Sequence, residues 1–168
     1  ATSRKSASFS SEKDSISVSL MARSEIESFS LEKEALFREV AKGRVQLIGG
    51  LRELLDRSAQ AGVLLGIASS APLANIEFML EEFGLRKLFA SISHSGRVRS
   101  GKPLPETMLV AARDLHVAPP RCIVFEDAAV GLEAARRGGM IPVAIETHPN
   151  EALAEWAEIV SRDFHAVL

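Results

Sequence analysis

Two acids stand side by side, Glu126 and Asp127, directly after the short apolar run Ile123, Val124 and Phe125. A run of that length, followed by small residues and Gly131, reads as a buried parallel strand presenting both carboxylates at its carboxyl end. Ligands of open α/β sheets bind at such ends. Paired carboxylates there suit a hard cation such as Mg²⁺, which takes oxygen ligands and keeps several waters. A plainer reading stays open, in which Asp127 N-caps the next helix and Glu126 is a solvated loop acid. Two more loops carry complementary groups. Ser69 and Ser70 follow an apolar run ending at Ala68, so a hydroxyl and the amides of a helix start could hold a phosphate oxygen; a simple helix cap is the alternative. Lys102, fixed between Gly101 and Pro103 with Glu106 nearby, could offset phosphate charge, although without context it reads as a surface lysine.

The elements that must position these groups follow from hydrophobic period and breakers. Leu31, Ala35, Leu36 and Val40 have helical spacing, with Ser30 as an N-cap and Gly43 as a stop. A second helix is expected over 51–61, a strand over 63–68, and a helix begun by Ser69, Ser70, Ala71 and Pro72 that buries Ile76, Met79, Leu80 and Phe83 and ends at Gly84. Strands are expected at 89–93, 121–125 and 140–145 and helices at 106–115, 128–137 and 150–157. A possible edge segment lies at 159–164. Strands alternating with helices over more than a hundred residues imply an α/β fold, a parallel sheet with helices on both faces.

With 168 residues, 46% of them hydrophobic, and a net charge of −2, the chain can bury one core and has no broad basic face, so nucleic acid is not the expected partner. Charged residues interrupt every apolar run, which argues against a membrane span. Cys122 is the single cysteine; it excludes an intrachain disulfide and points to a reducing, cytoplasmic setting. Its place in the expected strand makes it a small core residue, and no CxxC or HExxH spacing supports zinc. Residues 1–30 hold eleven serines, and the first eleven residues carry Arg4 and Lys5 but no acid. That composition fits a flexible leader or the remnant of an organellar transit segment, which would place the chain in a stroma or matrix. Within it Ile16, Val18 and Leu20 alternate with serines, a short strand-like period.

Order and spacing say more than any one loop. The stretches I-A-S-S at 67–70, S-G-K-P-L-P-E at 100–106 and V-F-E-D-A-A-V-G-L-E-A-A-R-R-G-G-M at 124–140 resemble the second, third and fourth motifs of the haloacid dehalogenase superfamily. The resemblance covers about residues 31–165 and is strongest to the branch of β-phosphoglucomutase and small sugar-phosphate phosphatases. It implies a Rossmann-like core in which Mg²⁺ assists transfer of a phosphoryl group from a small phosphorylated metabolite through an aspartyl-phosphate. By the same match, Ser69 would contact the phosphoryl group with Ser70 beside it, and Lys102 would neutralise it and position the nucleophile. Asp127 would bind Mg²⁺ and Glu126 would ligate it or orient a metal-bound water. Thr147 and His148 resemble a Thr-His pair that follows the fifth strand in this branch. Phosphoryl transfer asks chiefly for positioning and charge stabilisation, which these groups supply.

The superfamily's first motif, an apolar strand ending in Asp-x-Asp, has no counterpart. The pair Glu12 and Asp14 lacks a preceding apolar run, and a strand at 15–20 would set those acids at the end away from the site. The expected architecture is therefore an N-terminally truncated core over 44–168, with 31–43 resembling the last helix of the family's cap and 1–30 a leader. Loss of a central strand leaves backbone groups unpaired inside a sheet, which is costly. Residues 15–20, another chain or a second copy could fill that gap; if 15–20 do, Met21, Ala22 and Arg23 would stand near the nucleophile's place, and none forms an aspartyl-phosphate. Two functions follow as expectations: a Mg²⁺-dependent phosphohydrolase or phosphomutase impaired for want of its aspartate, or an inactive relative that binds phosphate, metal or a protein partner.

Overall fold

In the computed structural model, residues 23–168 are described, with side chains from Ser28 onward; the expected strand at 15–20 lies outside them. Helix α1 spans Arg23–Ala41 and belongs to one compact unit; a second covers Lys42–Leu168. The helix begins eight residues before Leu31, so Ser30 sits inside it and is no cap. Ile26 and Phe29 continue the helical spacing upstream. Acids at 25 and 27 suit a helix N-terminus. Phe29, Leu31, Leu36, Phe37 and Val40 are exposed.

The second unit is an alternation of strands and helices. Helix α2, Leu51–Gln60, starts after Gly50 in the left-handed region (φ 77), a position where a Cβ would press on the backbone of Phe164 and His165. Strand β1 is Leu65–Ala68, shorter than expected because the Val63 amide is bonded to the Ser58 carbonyl at 2.9 Å and so still belongs to the end of α2. Helix α3, Leu73–Glu82, buries Ile76 and Leu80 and half-buries Met79 and Phe83. It closes on left-handed Gly84 (φ 64), with the Leu85 amide reaching the Leu80 carbonyl at 2.7 Å. Neither serine before it is a cap: Pro72 holds the cap position without a side-chain bond. Strand β2, Phe89–Ser93, matches the expected bounds.

Helix α4 is Glu106–Asp114 and strand β3 is Ile123–Glu126. The strand starts late because Pro119–Arg121 forms a 3-10 turn. Helix α5, Ala129–Arg137, is entered through Ala128 with no side-chain cap, which removes the capping role considered for Asp127. Strand β4 is Ile141–Ile145 and β5 is Ile159–Ser161. Between them the helix expected at 150–157 is a 3-10 segment, Glu151–Glu155, begun by Asn150, whose side chain accepts from the Ala152 amide at 3.1 Å. No helix among the described residues is long and apolar enough to cross a membrane.

Among the described residues all strand pairing is parallel, but it falls into two pieces: β1 with β2, and β3–β4–β5 in that order. Among the described residues β1 and β3 each pair along one edge only, and Ile123 on β3 is 58% exposed. The pieces share a core. Met108 and Ala112 of α4 cluster with Ala134 and Ala135 of α5 and with Met140, and both Ala68 of β1 and Val124 of β3 pack against that cluster. The carboxyl end of β1 and the first half of β3 are therefore held by one set of side chains without a backbone ladder between the two strands. A second cluster, Leu55, Ile76, Leu80 and Leu85, packs α2 and α3 on the first piece. A third, Leu132, Ala144, Leu153 and Ala157, closes the outer side of α5.

Candidate active site

Strand β3 runs out at Glu126, and α5 begins so soon afterwards that the Glu126 carboxylate lies directly over Gly131. A Cβ at 131 would collide with that carboxylate, so the glycine creates the space in which Glu126 turns inward. There the Lys102 ammonium donates to Glu126 Oε1, both side chains being only 13% and 12% exposed. Burial lowers the Lys102 pKa below the ordinary lysine value, while the negative charge of Asp127 works in the opposite direction. The ammonium therefore senses both acids, one by direct contact and one through the field.

Lys102 is held in a loop that α4 pins. Glu106, in the first turn of that helix, accepts the amides of Ser100 at 2.9 Å and Arg99 at 3.1 Å through Oε2. The amide of Leu104 closes a turn on the Gly101 carbonyl at 3.1 Å, and the Lys102–Pro103 peptide is cis. Glu106 was visible in sequence only as an acid near the lysine. Its function as the acceptor for two loop amides needed the fold.

Asp127 faces the next strand's loop. The Thr147 hydroxyl donates to Asp127 Oδ2 at 3.5 Å, and His148 Nδ1 lies 3.3 Å from the same hydroxyl oxygen. This gives the Thr147 and His148 pair a place beside the acid. Ser69 ends the other sheet piece. Its amide extends the β1–β2 ladder to the Ser93 carbonyl at 3.0 Å, and its hydroxyl accepts from the Ala71 amide at 3.1 Å, while Ser70 is exposed. Thus Lys102, Glu126 and Asp127 come together, and Ser69 and Ser70 stand on the neighbouring piece, tied to it through Ala68 and the shared core.

One polar group nearby was not anticipated. Ser93, fully buried at the carboxyl end of β2, carries a hydroxyl with no hydrogen-bond partner among the described residues. Nothing in its sequence context distinguishes it from an exposed strand serine.

Among the described residues no three His, Cys, Asp or Glu side chains converge to hold a metal ion. Asp127 and Glu126 supply two oxygen donors, which fits a cation that completes its shell with water and phosphate oxygens.

The family model of haloacid dehalogenase-like hydrolases matches residues 13–139. The chain is 38% identical over 121 residues to validoxylamine A 7'-phosphate phosphatase of Streptomyces hygroscopicus subsp. limoneus, covering 71% of this chain and 56% of that protein. Its fold superposes on CbbY from Rhodobacter sphaeroides, solved with phosphate, with TM-score 0.74 and 28% identity over 83% of this chain and 64% of that one. It also superposes on β-phosphoglucomutase from Clostridium difficile, with TM-score 0.68 and 25% identity over 80% and 57%. The chain spans about half the length of the curated relatives it matches. Together with the two-piece parallel sheet and the acid pair at the end of β3, the match shows that this chain belongs to the haloacid dehalogenase-like hydrolase family.

Proposed function

We propose that the chain forms the phosphate- and Mg²⁺-binding part of a phosphohydrolase or phosphomutase site for a small phosphorylated metabolite. The observation that carries this reading is the convergence of Lys102, Glu126 and Asp127 at the carboxyl end of β3. Lys102 provides positive charge in a partly dry place, where it attracts an anion more strongly than a fully solvated lysine does. Glu126 holds the ammonium and Gly131 leaves room for it to do so. Asp127, oriented by Thr147, would hold the ion directly, with Glu126 behind a coordinated water. When bound, Mg²⁺ neutralises phosphate oxygens and fixes their orientation. Ser69, at the end of β1, offers its amide-rich turn to the same edge. The relatives support the substrate class: one is named for a phosphate ester and another was solved with phosphate.

The sequence has no Asp-x-Asp behind an apolar strand, and the described acids at the site are engaged by Lys102 and Thr147. Turnover by this chain is accordingly impaired, while binding persists. Calorimetric titration with inorganic phosphate in the presence of Mg²⁺ tests this. Binding is expected, falling about tenfold or more in Asp127→Ala and in Lys102→Ala, the size of one lost charge-assisted contact. Phosphate affinity indifferent to Mg²⁺ and to both substitutions would sink the reading. Mg²⁺-dependent hydrolysis of p-nitrophenyl phosphate that Asp127→Ala abolishes would overturn the impairment alone.

A further inference from the structure

The three parallel strands β3, β4 and β5 end side by side, and the residues just past their ends form a row. Glu126 is in register with Ala144, and Ile145 with Ser161. The last rung between β4 and β5 is the Glu146 amide on the Ser161 carbonyl at 2.7 Å. Asp127, Thr147 and Arg162 therefore leave the sheet at one edge, Asp127 and Arg162 one residue beyond their strands and Thr147 two beyond its own. Next to this row is a cavity of about 470 Å³ lined by Ile48, Glu146, Thr147, Pro149 and Arg162, a size suited to a small metabolite.

The walls of this cavity are tied down. Ile48 precedes Gly49, whose carbonyl accepts the Phe164 amide at 2.8 Å, and left-handed Gly50 lies against the backbone of residues 164 and 165. Glu146 accepts the Asn150 amide at 3.2 Å. Arg162, by contrast, is exposed and makes no ion pair or hydrogen bond among the described residues. Thr147 belongs to both places, since it lines the cavity and donates to Asp127. The cavity is thus contiguous with the acid pair, and its one cation stands two strands from Asp127, about 10 Å across the sheet.

We propose that this cavity receives the leaving-group half of the substrate and that Arg162 selects a phosphate ester bearing a second anionic group. The proposal rests on the phosphohydrolase reading and narrows its substrate class. A guanidinium presents a fork of donors matched to a carboxylate or a phosphate. The span to Asp127 sets the second anion about four to six bonds from the ester phosphorus. Glu146 and the Thr147 hydroxyl meet hydroxyl groups between the two ends, and Ile48 and Pro149 pack on its carbon chain.

Three esters test it on the full chain with Mg²⁺ by titration calorimetry: butyl phosphate, 4-phosphonooxybutanoate and propane-1,3-diyl bisphosphate. Both doubly anionic esters are expected to bind at least about tenfold tighter than butyl phosphate. Arg162→Ala should cut that advantage to under about twofold, and Arg162→Lys should retain part of it. Whichever dianion binds tighter identifies the second group as carboxylate or phosphate. Equal affinity for all three esters in the unaltered chain, or an advantage that survives Arg162→Ala, overturns the proposal. If butyl phosphate binding still depends on Lys102 in that case, the phosphohydrolase reading stands. If none of the esters binds, both fall.

Discussion

Gly131 shows how one missing side chain organises a site. A Cβ there would occupy the volume of the Glu126 carboxylate, so Gly131→Ala must push the acid off Lys102 or shift α5. Urea melts should show a loss of about 1–3 kcal/mol, with weaker phosphate binding in the same variant. Ser93 predicts the opposite sign. A buried hydroxyl without a partner carries an uncompensated desolvation cost, so Ser93→Ala should leave stability unchanged or raise it by about 1 kcal/mol. A clear loss in the same melts would mean the hydroxyl has a partner. Lys102 brings a pH dependence. Because burial sets its folded-state pKa below the ordinary 10.5, the unfolded chain binds that proton more tightly. Its contribution to stability therefore rises with pH through a window ending near that value. Lys102→Met should flatten the rise in melts taken between about pH 8 and 11; an unchanged slope would show that the burial has no energetic weight.

Elements were readable from the chain wherever the period was long and the breakers were strong. Strand β2 matched its expected bounds, and α3 turned at Gly84 because only a residue tolerant of positive φ ends a helix that way without strain. Boundaries failed where neighbours competed for the same backbone groups. Val63 and Leu64 look like strand, yet the Val63 amide completes the end of α2; residues 150–157 look helical, yet the Asn150 side chain starts a tighter turn. The loop before α4 is the element with the most direct bearing on the proposed function. Glu106 holds two of its amides, so Glu106→Ala should free the loop and weaken phosphate binding about tenfold, whereas Glu106→Gln, which keeps an acceptor, should recover most of it. Faster hydrogen exchange at Arg99 and Ser100 in the alanine variant alone would confirm that the effect is positional.

At the scale of the whole unit, the two sheet pieces are joined by side chains. Met108 is 2% exposed at the centre of the cluster that touches both Ala68 and Val124, so Met108→Ala should cost about 2–5 kcal/mol. It should also speed exchange on β1 and β3 together; an effect confined to one strand would show that the pieces are independent. The motifs alone determined that their three loops belong to a parallel α/β core, because residue type and spacing suffice where each motif is contiguous. They also showed that no Asp-x-Asp follows an apolar strand in this sequence. Only the tertiary structure decided that Lys102 pairs with Glu126, that Ser69 lies across a break in the sheet, and that Arg162 reaches the same edge as Asp127. Those relations connect residues far apart in sequence, and the strand register and helix packing that bring them together leave no trace in local period or composition.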